Sequence, residues 1–252
     1  MNTRSKPSSA EAFLAGARSP SFLNLAPKVR ESIKRRGVLA TLKLAVSWPL
    51  RRFQIDRFDR MHAVNTSGTV GLKNLGINSP NVIHGIDYRA TPPWVFRRML
   101  RQLKIRYEDW VFVDLGSGKG RSLLLASEFA FNKIIGVEFS AELNSVAQEN
   151  IRNFRSGKQK CKTVESVCMD AVIYPLPLQN TILYFYFPFR EPVMEKVLGN
   201  IHSSLAAHPR EFRIINYDPT PGNLFQRDPA LKVIKRNSTY VIYKIKKARG
   251  AF

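Results

Sequence analysis

The stretch Val113-Asp114-Leu115-Gly116-Ser117-Gly118-Lys119-Gly120 holds the residues of this chain best suited to chemistry. Three glycines alternate where a short apolar run, Val111 to Leu115, gives way to a helical pattern. Glycine there lets a ligand approach the backbone and accepts the positive φ of a tight turn. The spacing is G-x-G-x-G, and Arg121 stands where a dinucleotide-binding loop needs a small residue. Asp114 at the strand end suits an ammonium group and would repel a pyrophosphate. Glu138 closes the next apolar run, Ile135-Gly136-Val137, at the distance where an acid takes both hydroxyls of a ribose. Together these features describe a ligand with a ribose and a positive charge but no phosphate.

Such residues need a strand-turn-helix frame, and the rest of the pattern supplies one. Strands are predicted at Val111 to Leu115, Ile134 to Val137, Thr163 to Met169, Thr181 to Phe187 and Phe212 to Tyr217. Helices are predicted at Thr91 to Lys104, opened by a capping Thr91 and two prolines, and at Arg121 to Phe129, Ala141 to Phe154 and Glu191 to Ala206. Strands alternating with helices imply a parallel sheet covered on both faces. Leu231 to Lys235 and Thr239 to Lys246 read as a closing hairpin, with a crossover before it too short for a full helix. The expected fold is α/β: a Rossmann-like, mostly parallel seven-stranded sheet with an antiparallel C-terminal hairpin and a basic N-terminal helical extension. The expected divisions are a flexible basic arm at 1–27, a basic helical extension and loop at 28–80, and a ligand-binding domain at 81–252.

FVDLGSGKGR followed by IIGVEFS resembles the first two motifs of class I S-adenosylmethionine-dependent methyltransferases. That resemblance covers roughly Tyr88 to Lys246 and agrees with the ligand described by the residues themselves. It implies that Gly116, Ser117, Gly118 and Gly120 line the cofactor, that Asp114 lies near its amino-acid end, and that Glu138 holds the ribose. It further implies that Asp170 meets the adenine amino group with the Ala171 amide beside it. Tyr88-Arg89-Ala90-Thr91-Pro92 is similar to the Tyr-x-x-Thr-Pro element of lysine methyltransferases of the ATP synthase c-subunit type, and more loosely to Dot1-like enzymes. In that comparison Tyr88 and Thr91 touch the methionine end of S-adenosyl-L-methionine.

The acceptor side is carried by Tyr184-Phe185-Tyr186-Phe187-Pro188-Phe189. Amine and amide methyltransferases often place Asn or Asp, then two prolines and an aromatic residue, where this chain has Phe187 and a single proline. Aromatic residues there suit a lysine ammonium or a stacked base, with one of Phe185 and Phe187 expected in the core because alternate strand residues face opposite ways. The catalytic candidates, chosen by position, are Tyr88, Tyr186 and Glu191. His62, His84, His202 and His208 follow no metal-ligand spacing, so no metal is expected, although His84 lies near the proposed cofactor entrance. Cys168 is expected to pack on a buried strand.

The chain has 252 residues and a formal net charge of +21, with 44% hydrophobic residues, which excludes extensive disorder. The acidic cofactor motif does not account for that charge. It points instead to a macromolecular methyl acceptor, protein or nucleic acid, with Arg97, Arg98 and Arg101 and Lys244, Lys246, Lys247 and Arg249 as basic clusters. Ile33, Val38, Leu39, Leu42, Val46, Leu50 and Phe53 form amphipathic helical spacing among lysines and arginines. Their apolar face is expected to pack on the main domain, with peripheral membrane contact as the functional alternative. Two cysteines and the lack of a long apolar run lead to the expectation of a reducing, cytoplasmic setting. The competing reading of the whole is a non-catalytic basic module with the same fold that binds nucleic acid or a membrane surface.

Overall fold

In the first parallel strand, Trp110–Leu115 (β3), every residue is buried, because side chains on both of its faces meet helices. The structure is a computed structural model that describes residues 57–71, 87–186, 189–219 and 224–245, together with scattered helical positions between 29 and 46. Two short strands come first, Thr69–Val70 (β1) and Tyr88–Arg89 (β2), and they pair antiparallel to each other. Helix Pro93–Arg101 (α1) leads into β3, which is followed by helix Arg121–Ala126 (α2), strand Lys133–Glu138 (β4) and helix Ala141–Asn153 (α3). Strands Val164–Cys168 (β5) and Asn180–Phe185 (β6), helix Glu191–Ala207 (α4) and strand Phe212–Tyr217 (β7) continue the alternation. A four-residue helix, Leu224–Arg227 (α5), precedes the hairpin Leu231–Arg236 (β8) and Tyr240–Ile245 (β9).

The large sheet has seven strands in the order β5-β4-β3-β6-β7-β9-β8. Pairings among β3, β4, β5, β6 and β7 are parallel, and β9 is antiparallel to both of its neighbours. The order reverses between β3 and β6, so the carboxyl ends of β3, β4 and β6 bound a crevice suited to a ligand. Strand alternation divides the core. Phe112, Ile182 and Tyr184 face a cluster with Phe96, Met99 and Leu123 from α1 and α2. Val113, Leu183 and Phe185 face a second cluster with Val193, Val197 and Ile201 from α4. Phe185 is thus a core member of the aromatic run, on the opposite face from Tyr184, and packs on Phe225 with ring centroids 5.4 Å apart; Phe187 and Pro188 lie outside the described residues.

Several local expectations change. The N-cap of α1 is Pro92, with Pro93 in the first turn and no side-chain cap bond. Thr91 does not cap because its hydroxyl meets the Tyr184 hydroxyl at 2.8 Å. Cys168 is exposed, since β5 forms the edge of the sheet and only its central residue, Ser166, is buried. The stretch expected to be loop contains β1, and residues 57–71 lie against the glycine loop, where Asn65, Thr66 and Ser67 accept hydrogen bonds from Lys119 and Arg121. Val38, Leu42 and Val46 are exposed, and Leu39, Leu50 and Phe53 of the same apolar face lie outside the described residues. The arm at 1–27, the 72–86 stretch with His84, and Lys246, Lys247 and Arg249 lie outside the described residues.

Gly136 in β4 is where the loop seats on the sheet. A Cβ there would stand 2.6 Å from Ser117 Oγ and 2.6 Å from Leu123 Cδ1, and Leu123 is fully buried. Gly136→Ala is therefore expected to destabilise the protein by about 1–3 kcal/mol through overpacking. A thermal melt showing a Tm unchanged or raised would contradict this packing.

Candidate functional site

The loop after β3 takes its shape from three glycines with positive φ: Gly116 at 87°, Gly118 at 54° and Gly120 at 80°. At Gly118 the need is also steric, because a Cβ would fall 2.1 Å from Cδ2 of Tyr88. The Tyr88 ring, delivered by β2, therefore occupies the space a side chain would fill. Gly120 opens α2 in the left-handed conformation, and the start of α2 passes so close to α3 that a Cβ would lie 3.2 Å from the Ala147 Cβ. The loop is joined to β4 by three further bonds, one of them from Ser117 N to the Val137 carbonyl at 3.2 Å. Gly116 N donates to the Val137 carbonyl at 2.8 Å, and Gly118 N donates to Glu138 Oε2 at 2.8 Å.

Glu138 accepts a second bond on its other oxygen, from Ser140 N at 2.9 Å. A carboxylate has about four acceptor positions, so with the Gly118, Ser140 and Phe139 amides bonded it still has room for a ligand hydroxyl. Asp114 accepts from the Ser122 hydroxyl. Both carboxyls are buried, and neither is in an ion pair among the described residues. Burial pushes the Asp114 carboxyl up to about 7, with the Ser122 bond opposing the rise and Glu138 adding to it. Burial likewise pushes Glu138 up to about 7, opposed by the amide donors at Ser140, Gly118 and Phe139.

These groups line an open cleft of about 590 Å³ together with Tyr88, Thr91, Gly116, Tyr184 and Tyr186. An adjoining apolar slot of about 280 Å³ is lined by Val137, Phe139, Asp170, Ala171, Phe189 and Val193. Asp170 Oδ1 accepts from Val172 N at 2.9 Å, which turns the chain around the slot. Two buried carboxyls outside any ion pair among the described residues suit a ligand that brings a positive charge and hydroxyls, and the mostly apolar slot suits a purine. S-adenosylmethionine fits this donor set: Asp114 for its ammonium, Glu138 for its ribose, and the Asp170-Ala171 slot for its adenine.

The structure brings Tyr88, Thr91, Asp114, Gly116, Ser117, Gly118, Glu138 and Tyr186 to one cleft and Asp170 and Ala171 to the slot beside it. Gly120 stands behind them, shaping the turn rather than lining the cleft. The Ser117 side chain turns toward Gly136, since the Cβ built at that glycine meets its Oγ. Glu191 is not part of the cleft: it is exposed at the start of α4 and paired with Arg227. Tyr88 is a wall and not a base. Its hydroxyl donates to the Thr66 carbonyl at 2.6 Å, and burial pushes its pKa well above the usual range. Tyr184 is similarly held protonated by burial. Tyr186 lines the cleft and packs edge-on against Tyr217 with ring centroids 4.4 Å apart.

Sequence reasoning missed the contribution of residues 57–71. Asp59 accepts from Thr66 N at 2.8 Å, Thr66 Oγ1 at 2.6 Å, Ser67 N at 2.6 Å and Arg121 Nη2 at 2.8 Å. Asn150 on α3 brackets Asn65, accepting from its amide at 2.7 Å and donating to its carbonyl at 3.0 Å. The turn from Asp59 to Thr66 and Ser67 is local, but the local pattern does not announce its partners Arg121 and Asn150, which lie 62 and 85 residues away in the chain. Among the described residues no cluster of three or more His, Cys, Asp or Glu forms, and no helix is long and apolar enough to cross a membrane.

The strand order, the glycine loop after β3 and the acid ending β4 define the class I S-adenosylmethionine-dependent methyltransferase fold. Within that class, residues 85–163 match the family described as Histone methylation protein DOT1. A protein-lysine N-methyltransferase of Saccharolobus islandicus (strain REY15A) is 40% identical over 67 residues, which are 26% of this chain and 41% of that protein. The match thus spans less than half of that relative. Among solved structures, a putative RNA methyltransferase from Pyrococcus horikoshii is 21% identical and covers 72% of this chain and 94% of its own, at a TM-score of 0.47. An RNA methyltransferase from Salinibacter ruber, in complex with S-adenosyl-L-homocysteine, is 20% identical and covers 62% of this chain and 91% of its own, at a TM-score of 0.42. Likeness at this level adds nothing to what the strand order itself shows.

The raised carboxyls make ligand binding depend on pH in a defined direction. Their folded values near 7 lie above the ordinary carboxylate value, which is about 4. The empty fold therefore binds more protons than the unfolded chain between these values and loses stability as pH rises through that window. A cationic ligand favours the ionised carboxyls, so its affinity rises through the same range. The increase in Tm caused by S-adenosylmethionine is expected to grow from pH 6 to pH 8, and a shift that shrinks with pH would contradict the assignment.

Proposed function

We propose that this protein transfers the methyl group of S-adenosylmethionine to a protein lysine. The observation that carries the reading is the pair of buried carboxyls, Asp114 and Glu138, on a cleft whose open side carries Asp87, Tyr186 and Phe189. Asp87, Asp114 and Glu138 outnumber Arg89 and Arg121 in the lining, which suits two successive cations, the sulfonium ligand and an alkylammonium acceptor. Aromatic faces take an ammonium group with modest energy and strip its water. Desolvation lowers the pKa of the amine, so it sheds its proton to solvent at the rim and arrives neutral. The match to the DOT1 family and the name of the archaeal relative support a lysine acceptor.

When bound, the cofactor supplies an electrophilic methyl carbon on a positively charged sulfur, which a neutral amine takes by in-line displacement. This chain contributes orientation. Tyr88 and Thr91 bound the cleft, with the Thr91 and Tyr184 hydroxyls hydrogen-bonded to each other. Tyr186 and Phe189 shape the path along which an acceptor enters. Holding two reactants in line accounts for much of the rate without a dedicated base.

A nucleic-acid acceptor is the second reading, favoured by one observation. Arg213, Lys244 and Lys232 lie opposite one another across β7, β9 and β8, a row of like charges that costs sheet stability. That row sits near the start of β7, four residues and so about 13 Å along the strand from Tyr217 at the cleft end. Phosphates docked there would lie away from the cleft, which is why lysine is preferred.

The test is to incubate the full chain with methyl-tritiated S-adenosylmethionine and cell extract. Label is expected in protein and, after acid hydrolysis, in methylated lysine. Label in RNA would select the second reading. Cofactor binding without any label would support a non-catalytic module. Tyr186→Ala is expected to lower kcat/KM by at least about tenfold through loss of acceptor alignment, and an unchanged value would remove Tyr186 from the acceptor path.

A further inference from the structure

Arg121 is a cation in an awkward place. It lines the same cleft as Asp114 and Glu138, and only 2% of its side chain is exposed. A ligand carrying a sulfonium and an ammonium would meet that charge across a poorly screened space. The guanidinium carbon lies 4.6 Å from the Phe58 ring, and Nε donates to the Thr66 hydroxyl. Opposite it stands Asp59, with 12% of its side chain exposed and an oxygen 2.8 Å from Arg121 Nη2. Asp59 thus offsets the one buried guanidinium that the described residues bring to the cleft.

The same carboxylate also sets the shape of the wall. Asp59 receives Thr66 N, Thr66 Oγ1 and Ser67 N, which fixes the turn that presents the Thr66 carbonyl. That carbonyl takes the Tyr88 hydroxyl at 2.6 Å, and Tyr88 lies against Gly118. From Asp59 to the glycine loop there are therefore two links through hydrogen bonds and packing, one through Arg121 and one through Thr66 and Tyr88. Lys119 is drawn off in the same direction, donating to the Ser67 carbonyl at 3.0 Å and to Asn65 Oδ1 at 3.3 Å.

We infer that Asp59 is a positioning residue for cofactor binding, which cancels the charge of Arg121 and holds Tyr88 on the glycine loop, so that the cleft keeps the negative balance a sulfonium ligand requires. The inference rests on the cofactor reading above and adds a prediction of sign that a simple structural clamp lacks. S-adenosylmethionine carries a positive sulfur, and S-adenosylhomocysteine has the same groups with a neutral one. Loss of a charge-cancelling residue must penalise the first more than the second, whereas loss of a clamp penalises both alike.

The experiment is calorimetric titration of the full chain with each ligand. In Asp59→Asn, binding of S-adenosylmethionine is expected to weaken on the order of tenfold, and that of S-adenosylhomocysteine by clearly less. Arg121→Met removes the cation and leaves the anion, so the ratio of the two affinities should move the other way, toward the sulfonium. This second variant decides the matter if Asp59→Asn does not fold. The double variant should return the ratio to that of the wild type even where both ligands bind less tightly. Equal losses for both ligands in Asp59→Asn, no loss for either, or a ratio that does not reverse in Arg121→Met would overturn the inference. A wild type that binds neither ligand would overturn the cofactor reading along with it, a result distinct from wild-type binding with an unaltered ratio in the variants.

Discussion

The bond from Gly118 N to Glu138 Oε2 ties the turn after the first parallel strand to the end of the second. It requires a residue at 118 with positive φ, and the ring of Tyr88 leaves that residue no room for a side chain. It also buries Glu138 beside Asp114 at the point where strand order reverses, so that two carboxyls share one low-dielectric crevice. An arrangement of this kind is costly for a fold that keeps both groups ionised, and burial accordingly raises both pKa values toward neutrality. A cation bound in the crevice relieves that cost. The loop geometry, the electrostatics and the choice of ligand are consequences of the same short piece of backbone.

Around this centre the structure divides its work. The two apolar clusters on the faces of the sheet hold the strand ends in register, and neither supplies a polar group to the chemistry apart from tyrosines that emerge at the rim. Residues 57–71 do something else. They lie across the first turn of α2 and bring Asp59, Asn65 and Thr66 to the back of the glycine loop. A segment whose sequence looks like the end of a basic extension is thus part of the wall of the site. The cost is a buried ion pair, whose partners are worth little unless both are present and further hydrogen-bonded. Asp59 meets that condition with four donors.

Most of the frame was legible from residue order because it depends on local periodicity. The apolar run of β3, the glycines that end it and the acid that ends β4 are close in the chain, and each has few physical alternatives. The seven-stranded sheet with its antiparallel ending followed from the alternation of strands and helices and the short crossover before Leu231. Misreadings arose where a side chain had a remote partner. Thr91 has the composition of a cap, yet its hydroxyl meets Tyr184, 93 residues later in the chain. Glu191 lies one element from the cleft in sequence, but its carboxylate turns to Arg227. Cys168 sits on a strand of apolar character whose exposure depends on its place at the sheet edge.

Sequence alone determined the class of ligand, since glycine spacing and the sign of two carboxyls follow from covalent chemistry and a strand-turn-helix connection. It also determined that the large positive charge lies away from that motif. Only the tertiary structure decided that Tyr88 is a wall held by a carbonyl, that Arg121 belongs to the cleft, and that Asp59 stands against it. The physical reason is that hydrogen bonds and charge pairs act through space, over sequence separations of 22 for Tyr88 and Thr66 and 62 for Arg121 and Asp59. No local pattern encodes such pairs, and burial, which decides how strongly they act, exists only once the sheet has closed.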